Sequence, residues 1–474
     1  MANTFFFYDL ETSGLNPRSD RIMQFAGQRT DMALQPIGEP VNVLVKLNDD
    51  TLPSPEAVMV TGITPQSTQA DGYTEAEFAR FLQDEVFTPN TITVGFNSVR
   101  FDDEFIRYLF WRTFHNPYAW AWKDGRSRWD ILDIVRMTRA LRPDGINWPV
   151  DDEGRATNRL ELITKANGIV HENAHDALSD VEALIDVCNI LHQHQPKLFE
   201  YLLSIRDKKS VQKLVNLDDK QPFVYTSGRY SAEYNKTTVA FPLTSAPNSN
   251  VVVYDLRHDP SQFITLSPDE LSKKMYASWE ERTADGFVPL PVKTLQYNRC
   301  PAVAPLGVLE QENGWERISI TLTDVEKHKQ ILLQHPEFAE NIRSLAENRP
   351  AFVTGSDVEA KLYEGFLDGT DSMRVEAVRN ATESELADFH PSFNDERLSD
   401  LLLRYKARNY PRTLSEDEME VWEKWRSARI AAQLKPFVTS LHKLSSSVSA
   451  DKHFLLEELQ LWAEAIMPVG EGEA

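Results

Sequence analysis

The feature that most constrains this chain is a short run near its start, Phe5-Phe6-Phe7-Tyr8, which meets Asp9-Leu10-Glu11 without a break. Four uncharged aromatics in succession read as a buried strand. Residues i and i+2 of a strand share a face, so Asp9 and Glu11 project side by side. Two carboxylates held together away from water repel one another, and a divalent cation is the natural resolution. The Asp-x-Glu pattern is weak evidence by itself, since it starts at Asp9, Asp102, Asp151, Asp180, Asp324 and Asp357. Only the first closes an aromatic run. Taken alone, a strand running out into an acidic turn is the plainer reading.

A chain of 474 residues is too long for one ordinary core, so two or three domains are expected. Up to about residue 195, strands are predicted at Phe5–Leu10, Ile22–Thr30, Val41–Leu47 and Thr91–Phe96. Helices are predicted at Glu75–Phe87, Phe101–Thr113, Trp129–Leu141, Arg159–Asn167 and Asp176–Gln193, with Gly168 placed as a left-handed cap. This alternation predicts an α/β layer fold with a mixed sheet. From about Tyr201 the runs Phe223–Thr226, Thr237–Leu243 and Asn250–Leu256 predict a small β-barrel-like part. After Ser356 helices are predicted at Glu396–Arg408, Glu416–Leu434 and His453–Ile466, with Pro411 and Pro436 as breaks. The expected division is 1–196, 197–351 and 352–474.

Two cysteines, Cys188 and Cys300, exclude a disulfide framework and a CxxC metal site and fit a reducing compartment. No apolar run approaches a membrane span, and no basic region precedes the opening aromatics as in a signal peptide, so a cytoplasmic protein is expected. A net charge of −22 argues against coating nucleic acid by general attraction. Yet Arg100–Arg142 holds nine Lys/Arg against six Asp/Glu, interleaved with Phe101, Tyr108, Trp111, Tyr118, Trp120, Trp122 and Trp129. Such a mixture suits a groove for single strands. A helical core with a solvated rim fits the composition equally well.

Two further acidic positions stand out. Asp102 falls in the first turn of a predicted helix just after a strand, where open sheets place their sites, although a helix dipole also favours Asp there. His175 and Asp180 are five residues apart and would not share a face of one helix. With the helix starting near Asp176, His175 lies in the preceding loop and can swing over a cation held partly by Asp180. Asp176 itself reads as an N-cap, and a lone His at a helix start is ordinarily structural.

Asp-x-Glu on a first strand, Asn97-x3-Phe101-Asp102 after a later strand and His175-x4-Asp180 at a late helix together resemble the DEDD exonuclease superfamily, histidine subclass. Thr12-Ser13-Gly14 after Glu11 and Val60-Thr61-Gly62-Ile63-Thr64-Pro65 are similar to that superfamily as well. Within it, Arg159-Leu160-Glu161, Asn116-Pro117-Tyr118-Ala119-Trp120-Ala121-Trp122 and Ser127-Arg128-Trp129-Asp130 resemble the bacterial exonuclease I family. Leu362-Tyr363 through Gly365-Phe366 carries the likeness into the later segments.

The resemblance implies a ribonuclease H-like exonuclease domain with a mixed sheet, then an SH3-like β-rich domain and an all-helical C-terminal domain. It implies 3′→5′ digestion of single-stranded DNA to 5′-mononucleotides, with a role in DNA repair and recombination. Two Mg2+ ions are implied, with Mn2+ able to substitute. Asp9, Glu11 and Asp180 would hold the first and Asp9 the second, with Asp102 acting through waters. His175 would take a proton from the attacking water. Glu11, Arg107, Tyr118, Trp122, Arg136 and Arg159 are implied as substrate contacts.

The implied partner is the C-terminal tail of the single-stranded DNA-binding protein, met by a monomer. Gln221 stands where the family pattern has a lysine, with Lys220 beside it, while Tyr201 and Arg317 fall at fitting places. An RNA-trimming or proofreading nuclease is the rival within the superfamily, but the two additional segments argue against it. An inactive single-strand binding module is opposed by the presence of all five catalytic residue types, and an acidic scaffold is remoter still.

Overall fold

In the computed structural model, which describes residues 3–171, 176–349 and 355–468, the aromatic run forms β1 (Thr4–Thr12). It pairs antiparallel with β2 (Ile22–Thr30), from Phe5↔Thr30 to Glu11↔Gln24, and the register shifts between Glu11 and Thr12. β2 pairs antiparallel with β3 (Val41–Leu44), whereas β1 runs parallel to β4 (Thr91–Gly95) only from Thr4↔Thr91 to Phe7↔Val94. The sheet is therefore mixed, with the order β3-β2-β1-β4.

Alternation along β1 sorts its side chains. Phe6, Tyr8 and Leu10 enter a core with Phe25, Phe78, Phe105, Leu109 and Trp120. Asp9 and Glu11 take the opposite face. β4 ends at Gly95, where a Cβ would lie 2.5 Å from that of Ser98, and Asn97 adopts φ 65°. This tight turn feeds the helix Asp102–Arg112, which is buried along its whole length. The Tyr8 hydroxyl donates to the Asp103 carboxylate, tying that helix to β1.

These elements belong to one unit, made of Met1–Ser127, His171–Ile185 and Val353–Ala474. Its later part contains the helices Arg397–Asn409, Glu416–Ser445 and His453–Ile466. Pro436 does not break the chain as expected, because it lies inside Glu416–Ser445. Proline forfeits one backbone bond in a helix interior. Here Ile430 and Phe437 on either side of it are buried with Leu455, Leu459 and Trp462, and that burial holds the helix together.

The second unit comprises Arg128–Val170 and Asp186–Phe352. The helix expected from Trp129 starts at Ile131, since Ser127–Asp130 forms β5 and the Asp130 carboxylate caps the Leu132 N–H at 3.0 Å. Further on, β6 (Phe223–Thr226), β7 (Thr237–Ala246), β8 (Asn250–Asp255), β9 (Val292–Leu295) and β10 (Ala302–Pro305) form an antiparallel sheet, ordered β10-β6-β7-β8-β9. Phe223, Tyr225, Val251, Val253 and Val303 make its core.

Candidate active site

Asp9 lies just past the last parallel pair between β1 and β4, so it stands where β4 has already turned away. Glu11 follows on the same face. Asp180 comes from the first turn of the helix Ala177–His194, whose start is capped by the Asp176 carboxylate accepting from the Ser179 N–H at 3.1 Å. One carboxylate oxygen from each of Asp9, Glu11 and Asp180 lies within 4.8 Å of the others.

Burial and the neighbouring Asp180 push the Asp9 carboxyl well above its usual range. Burial, then Asp9, Asp180 and Asp176, lift Glu11 to about 9. Such a cluster stays neutral by holding protons or ionises around a cation. Three converging carboxylate oxygens are the donor set that hard divalent ions such as Mg2+ and Mn2+ prefer, so the residues fit a metal.

His171 was not among the expected site residues. Its Nε2 lies 2.6 Å from Asp180 Oδ1. It precedes Asp180 by nine residues and belongs to none of the quoted motifs, so only the folded chain brings the two together. His175 lies outside the described residues. Asp102 is buried at the N-terminus of its helix and is not one of the three converging carboxylates.

Arg107 is engaged, with Nη1 3.0 Å from Glu104 Oε1 and 3.1 Å from the Tyr363 hydroxyl. Its guanidinium lies 5.8 Å from the centroid of the Tyr118 ring. Tyr118 in turn meets Tyr363 at 6.3 Å and Phe366 at 5.7 Å between centroids. Tyr118, Trp122 and Phe366 line one cleft of about 700 Å³. Trp122 is 67% exposed, whereas Trp120 is buried against Phe87 at 4.7 Å and Trp129 is buried as well. The sequence marks Tyr363 and Phe366 only by their resemblance to the family, without a role. Arg136 and Arg159 belong to the second unit. Arg136 Nη1 pairs with Asp133 at 2.7 Å, and Arg159 is exposed at the start of the helix Leu160–Ala166.

Three family profiles match the chain: an exonuclease over residues 6–188, an exonuclease I SH3-like domain over 206–347 and an exonuclease I C-terminal domain over 356–466. Exodeoxyribonuclease I of Haemophilus influenzae is 39% identical over 460 residues, covering 96% of this chain and 97% of that protein. A crystal structure of E. coli exonuclease I with a dA16 oligonucleotide superposes with a TM-score of 0.94 at 36% identity, covering 98% of this chain and 100% of that one. A zinc-bound form of the E. coli enzyme with single-stranded DNA gives a TM-score of 0.93 at 36% identity, with the same coverage. With a mixed-sheet exonuclease part, an SH3-like part and a helical C-terminal part, this chain belongs to the exonuclease I family.

Proposed function

We propose that this chain is a metal-dependent exonuclease that digests single-stranded DNA from its 3′ end and releases 5′-mononucleotides, acting in DNA repair and recombination. The observation that carries the reading is the convergence of Asp9, Glu11 and Asp180 within 4.8 Å. The E. coli relative solved with a single strand supports the choice of substrate.

Asp9, Glu11 and Asp180 would hold divalent cations, two Mg2+ ions with Asp9 shared between them and Mn2+ able to substitute. Such ions supply charge neutralisation at a phosphate and lower the pKa of water. The remaining chemistry falls to side chains of this protein. Asp102 acts on the site through waters. His175 takes the proton from the attacking water, a role contributing ~10²–10⁴-fold in rate. Glu11 also faces the terminal nucleotide.

Tyr118 and Trp122 offer flat faces to bases, each stack contributing about 1–3 kcal/mol. Arg107, whose guanidinium lies by the Tyr118 ring, steadies that face and approaches the strand. Arg136 and Arg159 contact phosphates, Arg159 the one being cut. The same reading divides the chain at 1–196, 197–351 and 352–474, and has it work as a cytoplasmic monomer. It also includes recruitment by the C-terminal tail of the single-stranded DNA-binding protein.

Two end-labelled hairpins test the reading, one with a long 3′ overhang and one with a 5′ overhang, each with magnesium or EDTA. The 3′ overhang should shorten to mononucleotides and stop near the duplex, only with magnesium. Equal digestion of both hairpins, short oligonucleotides as first products, or activity in EDTA would overturn it.

A further inference from the structure

The β6–β7 hairpin of the second unit holds positive charge that its own packing does not neutralise. Its loop runs from Ser227 to Lys236, closed by the Ser227 N–H donating to the Lys236 carbonyl at 2.9 Å and by the Lys236 N–H donating to the Ser231 carbonyl at 2.9 Å. Asn235 and Lys236 both take left-handed backbone, with φ of 50° and 59°. Asparagine tolerates that region, but a lysine is crowded there. A crowded backbone kept in a loop is reason to ask what the side chain does.

The loop lies against Arg136. A Cβ on Gly228 would sit 2.8 Å from Arg136 Nη1, so the loop backbone runs close against the guanidinium. Nη1 of Arg136 pairs with Asp133, while its Nε is buried without a hydrogen-bond partner among the described residues. On the other side, Lys293 of β9 donates to the Ser227 hydroxyl, and its ammonium lies 4.4 Å from the ring centroid of Tyr225 and 5.1 Å from that of Tyr230. The Tyr230 hydroxyl is buried and has no hydrogen-bond partner among the described residues.

Two nearby acids are already engaged, and Glu233 of the loop itself is exposed, with its charge acting on Arg257. Asp133 is held by Arg136, and Asp255 accepts from the Thr238 hydroxyl and from the Arg257 N–H at 3.1 Å. Lys236 has no carboxylate partner among the described residues, and burial together with the charge of Arg136 lowers its pKa. Two cations close enough to feel one another's charge, with no acid shared between them among the described residues, are what an anionic oxygen ligand stabilises.

We infer that Lys236 and Arg136 form a phosphate-binding site for the backbone of the single strand, carried on the β6–β7 hairpin. The inference rests on the nuclease reading, which already has Arg136 contact DNA, and it adds Lys236 as the second arm. A phosphodiester is favoured over an acidic peptide because the groups gathered here are donors and cations, which a backbone phosphate uses without help from an apolar anchor.

Lys236→Asn tests this cleanly, since asparagine keeps the left-handed backbone and loses the charge. Binding of a labelled oligo-dT is followed by anisotropy, with calcium replacing magnesium, over a salt series. The plot of log K against log salt should become shallower by about 0.7, the change for one phosphate contact to a single strand. Lys236→Arg should restore it, and the melting temperature of Lys236→Asn should match or exceed that of the parent. An unchanged slope in a folded variant overturns the site. So does inorganic phosphate raising the melting temperature of the parent but not of Lys236→Asn while the slopes agree, which marks a free-anion site. An acidic peptide that binds the parent and not the variant, again with equal slopes, also overturns it. A parent protein that fails to bind the strand defeats the nuclease reading and this inference together. A parent that binds and digests normally confines any failure to Lys236.

Discussion

His171 Nε2 and Asp180 Oδ1 stand 2.6 Å apart, so one oxygen of a candidate metal ligand is held by a buried imidazole. Outer partners of this kind orient the carboxylate, and losing one typically lowers metal affinity about 10–100-fold. His171→Ala should therefore weaken Mn2+ binding to the DNA-free protein by that factor, measured by calorimetry, with little change in melting temperature at saturating metal. His171→Gln should recover part of the loss. Equal affinity in the alanine variant would reduce the pair to a packing contact.

The carboxylate trio should trade stability for function. Asp9→Asn is expected to abolish hydrolysis of labelled single strands while the protein stays folded, because the proposed ions share this residue. Glu11 is lifted to about 9 by burial and by Asp9, Asp180 and Asp176. Glu11→Gln should thus stabilise the metal-free protein by about 0.5–2 kcal/mol, and the added stabilisation by Mn2+ should shrink. A metal-free melting temperature below that of the parent would contradict the repulsion argument.

Neighbouring tryptophans should behave oppositely. Trp122 is 67% exposed, so Trp122→Ala should weaken single-strand binding by about 1–3 kcal/mol and leave melting nearly unchanged. Trp120, buried and stacked on Phe87, should cost about 3–5 kcal/mol of stability when cut to alanine. Calcium-arrested titration and thermal melting, run on both variants, separate the two roles. An early-melting Trp122→Ala with parental affinity would make that residue structural.

Acid sensitivity follows from a buried ion cluster in the first unit. Asp50 Oδ2 meets Arg408 Nη2 at 2.8 Å and Arg429 Nε at 3.0 Å, and Glu359 Oε2 meets Arg21 Nη2 at 2.8 Å. Burial raises the Asp50 carboxyl, but Arg408, Arg429 and Arg21 outweigh it and hold it below the usual range, as their counterparts do for Glu359. Folded values below the unfolded ~3.9 and ~4.3 mean stabilisation present above about pH 4 and lost as pH falls further. Melting temperature should drop steeply in that range. Asp50→Asn should melt earlier at pH 7 and show a flatter acid limb; an acid limb as steep as the parent's would remove Asp50 from the effect.

Much of this protein is determined locally. β2 at Ile22–Thr30, β6 at Phe223–Thr226 and the helix His453–Ile466 have the bounds their residue patterns predict, because alternation and helical period act within one element. The shared face of Asp9 and Glu11 also follows from strand geometry alone. Other features depend on what an element packs against. Pro436 stays helical because Ile430 and Phe437 are buried around it, and Trp129 and Asp130 close the strand Ser127–Asp130 where a helix was expected to begin. Trp120 and Trp122 sit two residues apart in one aromatic-basic stretch, yet only the folded chain buries the first and exposes the second. The His171–Asp180 contact and the Asp50–Arg408 pair, 358 positions apart, join segments whose separation leaves no periodic trace. Local propensity acts over a few residues, whereas burial and charge pairing are properties of the assembled core, and those decided the environment in which the carboxylates would work.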